Sequence, residues 1–103
     1  MDFIYEKNRI YAADELGNVV AEVVFPLDKD GVVNINRTFV DATLRGGGVA
    51  AKLLNLAYDH IKAQGLKARP TCSYAVSFFK RNEEKQDILA DQDLDSVKIE
   101  CSI

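Results

Sequence analysis

Cysteine is scarce in this 103-residue chain: Cys72 and Cys101 are its only two, and His60 is its single histidine. Two thiols allow at most one bridge, which excludes a disulfide-stapled scaffold, and both are expected as free thiols. One histidine with no partner at a ligand spacing leaves no zinc pattern, so no metal site is expected and His60 reads as a surface or edge residue. Long apolar runs are missing too. The longest, residues 19–25, is interrupted by Glu22 and falls well short of the ~18 residues of a membrane span. Residues 1–7 lack a basic region followed by an apolar stretch, so nothing suggests export. These absences predict a soluble, cytoplasmic protein with no membrane partner. Positive charge is not in excess either, since 13 Lys and Arg face 16 Asp and Glu for a net −3. With an acidic whole and no aromatics interleaved among its basic residues, the chain is not expected to bind nucleic acid.

What is present is enough for one domain with its own core: 48% of the residues are hydrophobic, which argues against disorder. The charge is unevenly placed. Residues 1–35 carry 3 basic and 7 acidic groups for a net −4, and residues 82–103 carry 2 and 7 for −5. Between them, residues 36–81 carry 8 basic and 2 acidic groups for +6. Such a middle segment suits a surface that receives an anion, or simply a set of scattered solvated lysines and arginines.

Short strands are expected on either side of the polar stretch 6–9, followed by a turn over 14–18. Residues 19–25 read as a strand closed by Pro26, and 32–40 as its antiparallel partner with Val33, Ile35 and Phe39 on one face. From Val49 the period changes to that of a helix, with Ala50, Leu53, Leu54, Ala57 and Ile61 on one stripe and Gly65 where the helix ends. Residues 67–71 form a short strand candidate. Ser73 is expected to cap a helix over 74–81, and Asn82 a third short one. Residues 97–103 alternate as a half-buried strand, with Cys101 structural, and could pair with the chain's own sheet or a second subunit. The order predicts an α+β fold, or mixed α/β sandwich: an antiparallel meander, then helix, strand and helix on a twisted sheet.

Three of the six glycines stand together at Gly46-Gly47-Gly48, between a strand and the best-supported helix. Glycine inside regular structure is unfavourable, so a run of three needs a reason. It is either a flexible loop or an anion site, in which bare backbone and the unpartnered amides of a helix start face a phosphate. The P-loop pattern fails because Leu53 follows Lys52. Gly46-x-Gly48-x-x-Ala51 fits the dinucleotide fingerprint only in its glycines, since the acidic residue about twenty positions on is missing.

A third pattern is longer. Arg45-x-x-Gly48-x-Ala50 lies within Asn36-Arg37-Thr38-Phe39-Val40-Asp41-Ala42-Thr43-Leu44-Arg45-Gly46-Gly47-Gly48-Val49-Ala50, followed by Leu53, Ala57, Pro70-Thr71-Cys72-Ser73-Tyr74 and Gln86-Asp87-Ile88-Leu89. This resembles the small, single-domain GNAT N-acetyltransferases marked by a Pro-x-Cys-x-Tyr motif. The match spans residues 36–89 and leaves the tail from 90 to 103 outside it. The resemblance implies one acetyl-CoA-binding domain over 1–103 that moves an acetyl group to an unidentified small-molecule or protein amine, as a monomer or weak homodimer. It places the cofactor's phosphates on Gly46, Gly47, Gly48, Val49 and Ala50, with Arg45 adding charge or shaping the loop, and the pantetheine arm along Phe39 and Val40. Cys72 takes the catalytic role, as base or as first acceptor of the acetyl group. Its place ahead of a helix, near Lys67, Arg69, Lys80 and Arg81 in sequence, suits a thiolate. Tyr74 is either a proton donor and cofactor neighbour or a core residue. Arg37 stands where a histidine is common among relatives and Ala42 where a proline is common, which sets a histidine-dependent role aside. Two other readings stay open: a coenzyme A-binding module without turnover, and an interaction protein using the C-terminal strand.

Overall fold

The computed structural model describes residues 2–28 and 31–90, so the strand expected over 97–103 and Cys101 lie outside the described residues. Three strands form the meander. β1 (Ile4–Glu6), β2 (Arg9–Ala13) and β3 (Val19–Val24) pair antiparallel in that order. The β2–β3 turn is closed by Asp14, whose carboxylate accepts from the amides of Leu16 and Asn18, both at 2.9 Å.

The next stretch departs from expectation. Instead of one strand over 32–40 there are two, β4 (Val32–Ile35) and β5 (Arg37–Val40), parted at Asn36. The Asn36 N–H donates to Val24 C=O (3.2 Å), while the carbonyl of Ile35 accepts from Thr71 N–H (3.0 Å) and Cys72 N–H (3.2 Å). Neighbouring residues are thus held to opposite partners, and the chain leaves one sheet for another. β5 joins the meander as the antiparallel neighbour of β3, giving the order β1-β2-β3-β5, whereas β4 pairs in parallel with β6 (Lys67–Pro70). The intervening Asn36 also changes the parity of burial, because strand side chains alternate with period two. Val33 and Ile35 are buried before it, Thr38 and Val40 after it, and Phe39 is left off the buried face where the sequence pattern had placed it.

α1 (Val49–Ala63) buries Leu53, Leu54, Ala57, Tyr58 and Ile61 against β2, β3 and β5. It ends as expected at Gly65, which adopts a left-handed φ of +72°. Leu66 N–H to Ile61 C=O (3.2 Å) and Gly65 N–H to Lys62 C=O (3.0 Å) close the last carbonyls in a Schellman pattern. α2 (Ser73–Arg81) packs on α1 and β6. Its N-cap is Cys72, with no side-chain cap, and Ser73 is already the first helical residue, which corrects the predicted cap by one position. Asn82 does precede a short 3₁₀ helix (Glu83–Ile88), but its side chain donates back to Phe78 C=O (2.8 Å) and caps nothing ahead. The architecture is therefore α+β, with α1 packed on the face of the meander that buries Ala21 and Val23, and α2 packed on α1 and β6. No helix among the described residues is long and apolar enough to cross a membrane.

The opposite face carries an ionic cluster. Glu22 on β3 accepts from Arg9 Nε (2.5 Å) and from Arg37 Nε (3.0 Å). Burial of Glu22 works to raise its pKa, but the hydrogen bonds and charges of the two guanidinium groups outweigh it and hold the carboxyl below its ordinary value of 4.5.

A depressed folded pKa contributes stability above the unfolded value, and that contribution is lost as pH falls. Glu22→Gln should therefore lower the unfolding free energy by about 1 kcal/mol at pH 7. The difference from wild type should shrink as the pH is lowered through and below 4.5, as followed by thermal unfolding across pH. Leu53→Ala, at a side chain with no exposure, should cost about 2–5 kcal/mol in urea unfolding. Leu16→Ala, at a residue 87% exposed, should stay within about 0.5 kcal/mol.

Candidate functional site

The parting of β4 from β5 leaves one edge of β5 without a strand partner among the described residues. Asp41 N–H donates to Val20 C=O at 2.8 Å, which makes Val20 and Asp41 a hydrogen-bonded pair of the antiparallel ladder. In the observed register Glu22 and Phe39 form the next such pair, and Val23–Thr38 and Ala21–Val40 are the unbonded ones between. The main-chain groups of Thr38 and Val40 consequently point away from β3, toward the open edge. Those of Phe39 are directed at β3. The edge expected from Phe39 and Val40 is thus offered by Thr38 and Val40, with Phe39 contributing a half-buried ring beneath the Arg37 guanidinium.

At the end of β5 the chain turns sharply. Asp41 caps a short 3₁₀ helix (Ala42–Leu44) by accepting from Thr43 N–H (3.1 Å). Arg45 then folds back and donates from Nε to Val40 C=O (3.1 Å), so it shapes the loop while its guanidinium stays at the mouth. Gly46 and Gly48 have φ of +89° and +77°, and a Cβ at either would meet nothing within 4 Å. Their glycines are required by backbone conformation, not by crowding. Gly47 has no such conformation, and a Cβ there would sit at an ordinary 3.5 Å from Leu44 C=O. The turn delivers the chain into α1, whose first ladder bond is Lys52 N–H to Gly48 C=O (3.0 Å). The amides of Val49, Ala50 and Ala51 precede that bond and have no intrahelical acceptor.

These parts enclose an open cleft of about 260 Å³. Of the residues predicted to hold a cofactor, Val40, Arg45, Gly46, Gly48, Val49, Ala50 and Tyr74 line it, and Phe39 and Gly47 do not. Tyr74 also packs against the core, so its two alternatives hold together. Leu44, Ala51 and Arg81 line the cleft and were missed. Arg81 was within reach of the sequence, since it stands seven residues after Tyr74, two turns along the same face of α2.

Cys72 is elsewhere. Its side chain has no exposure and does not line the cleft; its amide is held by Ile35 C=O and its carbonyl accepts from Val76 N–H (3.0 Å). The cationic neighbours inferred from sequence are all exposed, Lys67 and Arg69 on the outer side of β6 and Lys80 and Arg81 at the far end of α2. What remains of its expected setting is the helix start. His60 lies against the rings of Tyr5 and Phe25, at centroid distances of 5.6 and 5.9 Å. No cluster of three His, Cys, Asp or Glu side chains among the described residues could hold a metal ion.

A second, larger cavity of about 670 Å³ lies beyond Leu44, bordered by Asp14 and Asp41. Hydrogen bonds from Asn18 to Asp14, and from Thr43 to Asp41, hold both carboxyls below their ordinary 3.8. They are therefore anions near neutral pH, and this cavity has the wrong sign for a phosphate.

Residues 9–88 match the profile of the GCN5-related N-acetyl-transferase family. No curated protein matches. Among solved structures, a Staphylococcus aureus protein described as a GCN5-like N-acetyltransferase is similar with a TM-score of 0.74 at 27% identity, over 89% of this chain and 90% of that one. The GNAT-family N-acetyltransferase YhbS of Escherichia coli, solved in complex with CoA, shares the fold at a TM-score of 0.58 and 22% identity, over 71% of this chain and 43% of that one. GCN5 of Tetrahymena shares it at 0.58 and 17%, over 85% and 64%.

The φ values separate the three glycines experimentally. Gly48→Ala should cost about 1 kcal/mol or more in urea unfolding because it forces a left-handed alanine. Gly47→Ala should change stability by less than about 0.5 kcal/mol.

Proposed function

The chain belongs to the GCN5-related N-acetyltransferase family, and we propose that it transfers the acetyl group of acetyl-CoA to an amine. The observation that carries this reading is the meeting, in one cleft, of a left-handed glycine turn, the amides that open α1, and an edge of β5 that no described strand covers. The cleft's formal charges, Arg45 and Arg81, are positive, and the amides of Val49, Ala50 and Ala51 add the positive end of a helix dipole. Such a cradle fits a pyrophosphate. The edge amides of Thr38 and Val40 fit the amide-bearing arm that follows it. CoA itself is bound by one relative of this fold, the YhbS protein.

An acetyl thioester supplies an activated acyl carbon to the amine nitrogen. The chain's part is to hold that carbon and to stabilise the charge that develops on its oxygen, for which a fixed main-chain N–H such as that of Val40 is suited. Cys72 is the residue proposed to accept the proton lost by the amine, or to take the acetyl group first. Its complete burial favours a second reading, a CoA-binding module without turnover.

Acetyl-CoA at 100 times its dissociation constant should stabilise the protein by about 2.7 kcal/mol. Gly48→Asp should abolish that thermal shift, since it adds strain and a like charge at the cradle; no shift in wild type at millimolar ligand overturns the reading. Turnover is read from thiol release with a panel of amines. Cys72→Ser should keep the acetyl-CoA shift and lower thiol release at least about 100-fold, whereas binding without release from any amine establishes the module.

A further inference from the structure

Arg81 is the last residue of α2, exposed, and it lines the cleft. Among the described residues it makes no hydrogen bond and no ion pair. Other arginines are already engaged: Arg9 and Arg37 are held by Glu22, and Arg45 by its Nε on Val40 C=O. An unpaired guanidinium on the wall of a cleft keeps its charge and its fork of donors for a ligand.

Burial along the cleft says which part of a ligand that would be. Val40 is buried, and Tyr74 is half-buried against the core, so these two mark its inner part. Arg45, Gly46, Gly48 and Arg81 are exposed at its mouth. Tyr74 and Arg81 share one face of α2 and stand roughly 10 Å apart along its axis. The glycine turn and the first amides of α1 form one wall, and Arg81 stands on the wall that α2 contributes. Acetyl-CoA carries its groups in a fixed order: acyl group, amide-bearing arm, pyrophosphate, then a ribose with a further phosphate on its 3′ oxygen. With the arm beside Val40 and the pyrophosphate on the α1 amides, the ribose and its phosphate come last, at the mouth. Arg81 is the cleft cation there whose side chain is not tied to the main chain.

We infer that Arg81 is a specificity-determining residue for the 3′-phosphate, pairing with it across the mouth of the cleft and setting a preference for acetyl-CoA over its 3′-dephospho form. The inference rests on the acetyl-CoA reading. A pyrophosphate is common to many nucleotides, and main-chain amides that hold it do not tell them apart. The 3′-phosphate is a monoester with a charge of about −1.5 to −2 near pH 7, and a guanidinium matches it in both charge and geometry. One cation on the facing wall therefore discriminates where the cradle does not.

The test measures dissociation constants by calorimetry, in the full chain, for acetyl-CoA and acetyl-3′-dephospho-CoA. Wild type is compared with Arg81→Gln, Arg81→Lys and Arg69→Gln; Arg69 is exposed on β6 and does not line the cleft, so its loss changes the net charge equally. Wild type should bind acetyl-CoA roughly three- to tenfold more tightly than the dephospho form, the worth of one charge-assisted contact at an exposed site. Arg81→Gln should weaken acetyl-CoA by that factor and leave the dephospho form within about twofold, so that the preference disappears. Arg81→Lys, which keeps the charge, should bind acetyl-CoA more tightly than Arg81→Gln. Arg69→Gln should leave both constants within about twofold of wild type. An equal loss of both ligands in Arg81→Gln overturns the inference, because Arg81 then serves the pyrophosphate. So does a loss in Arg69→Gln as large as in Arg81→Gln, which makes the preference a long-range field. If wild type binds both ligands equally, the cofactor reading stands and this inference alone falls; if it binds neither, the cofactor reading fails and takes the inference with it.

Discussion

The carbonyl of Ile35 accepts from two amides, those of Thr71 and Cys72, while the amide of the next residue, Asn36, is committed to Val24. The rest of the structure depends on this divergence. It pulls β4 toward β6 and leaves β5 on β3, so that one edge of β5 has no strand paired along it among the described residues. Free edges invite pairing with another extended chain, and here the edge opens into a cleft rather than onto an outer surface. The same divergence changes which residues of the strand are buried. Thr38 and Val40 face the core because Asn36 stands between them and Ile35.

The two cavities near Leu44 differ in charge as well as in size. The larger is bordered by two carboxylates held ionised by their own turns; the smaller has a helix start and two arginines. A polyphosphate is directed to the smaller by sign alone. The +6 segment noted in the sequence contributes less than its total suggests. Of its basic residues, Arg45 and Arg81 line the cleft, while Arg37 is spent on Glu22 and Lys62 on Asp87. Main-chain amides, which no charge count includes, provide much of the proposed cradle.

The helices were legible from periodicity because their apolar stripes are long. Leu53, Leu54, Ala57 and Ile61 fall on one face at the spacing of a helix, and Gly65 marks its end. The glycine turn was legible because three consecutive glycines ahead of a helix have few other uses. The break at Asn36 was not. Val33, Ile35 and Phe39 share the parity of one strand face, and the carbonyl at which the strand parts is bonded to residues far along the chain, at 71 and 72. Cys72 shows the opposite failure. Sequence neighbours suggested a cationic setting, but alternation along β6 turns Lys67 and Arg69 outward while Cys72 is sealed in. Its surroundings had to come from the fold.

The central claim is that acetyl-CoA lies along the edge of β5 with its phosphates at the start of α1. Amide chemical shifts in a 15N-labelled sample, followed during titration with acetyl-CoA, test it residue by residue. The account predicts the largest changes at Thr38, Val40, Gly48, Val49, Ala50 and Ala51, with little change at Asp14 and Asn18 on the acidic cavity. Changes concentrated at that cavity, or none along β5, would contradict it.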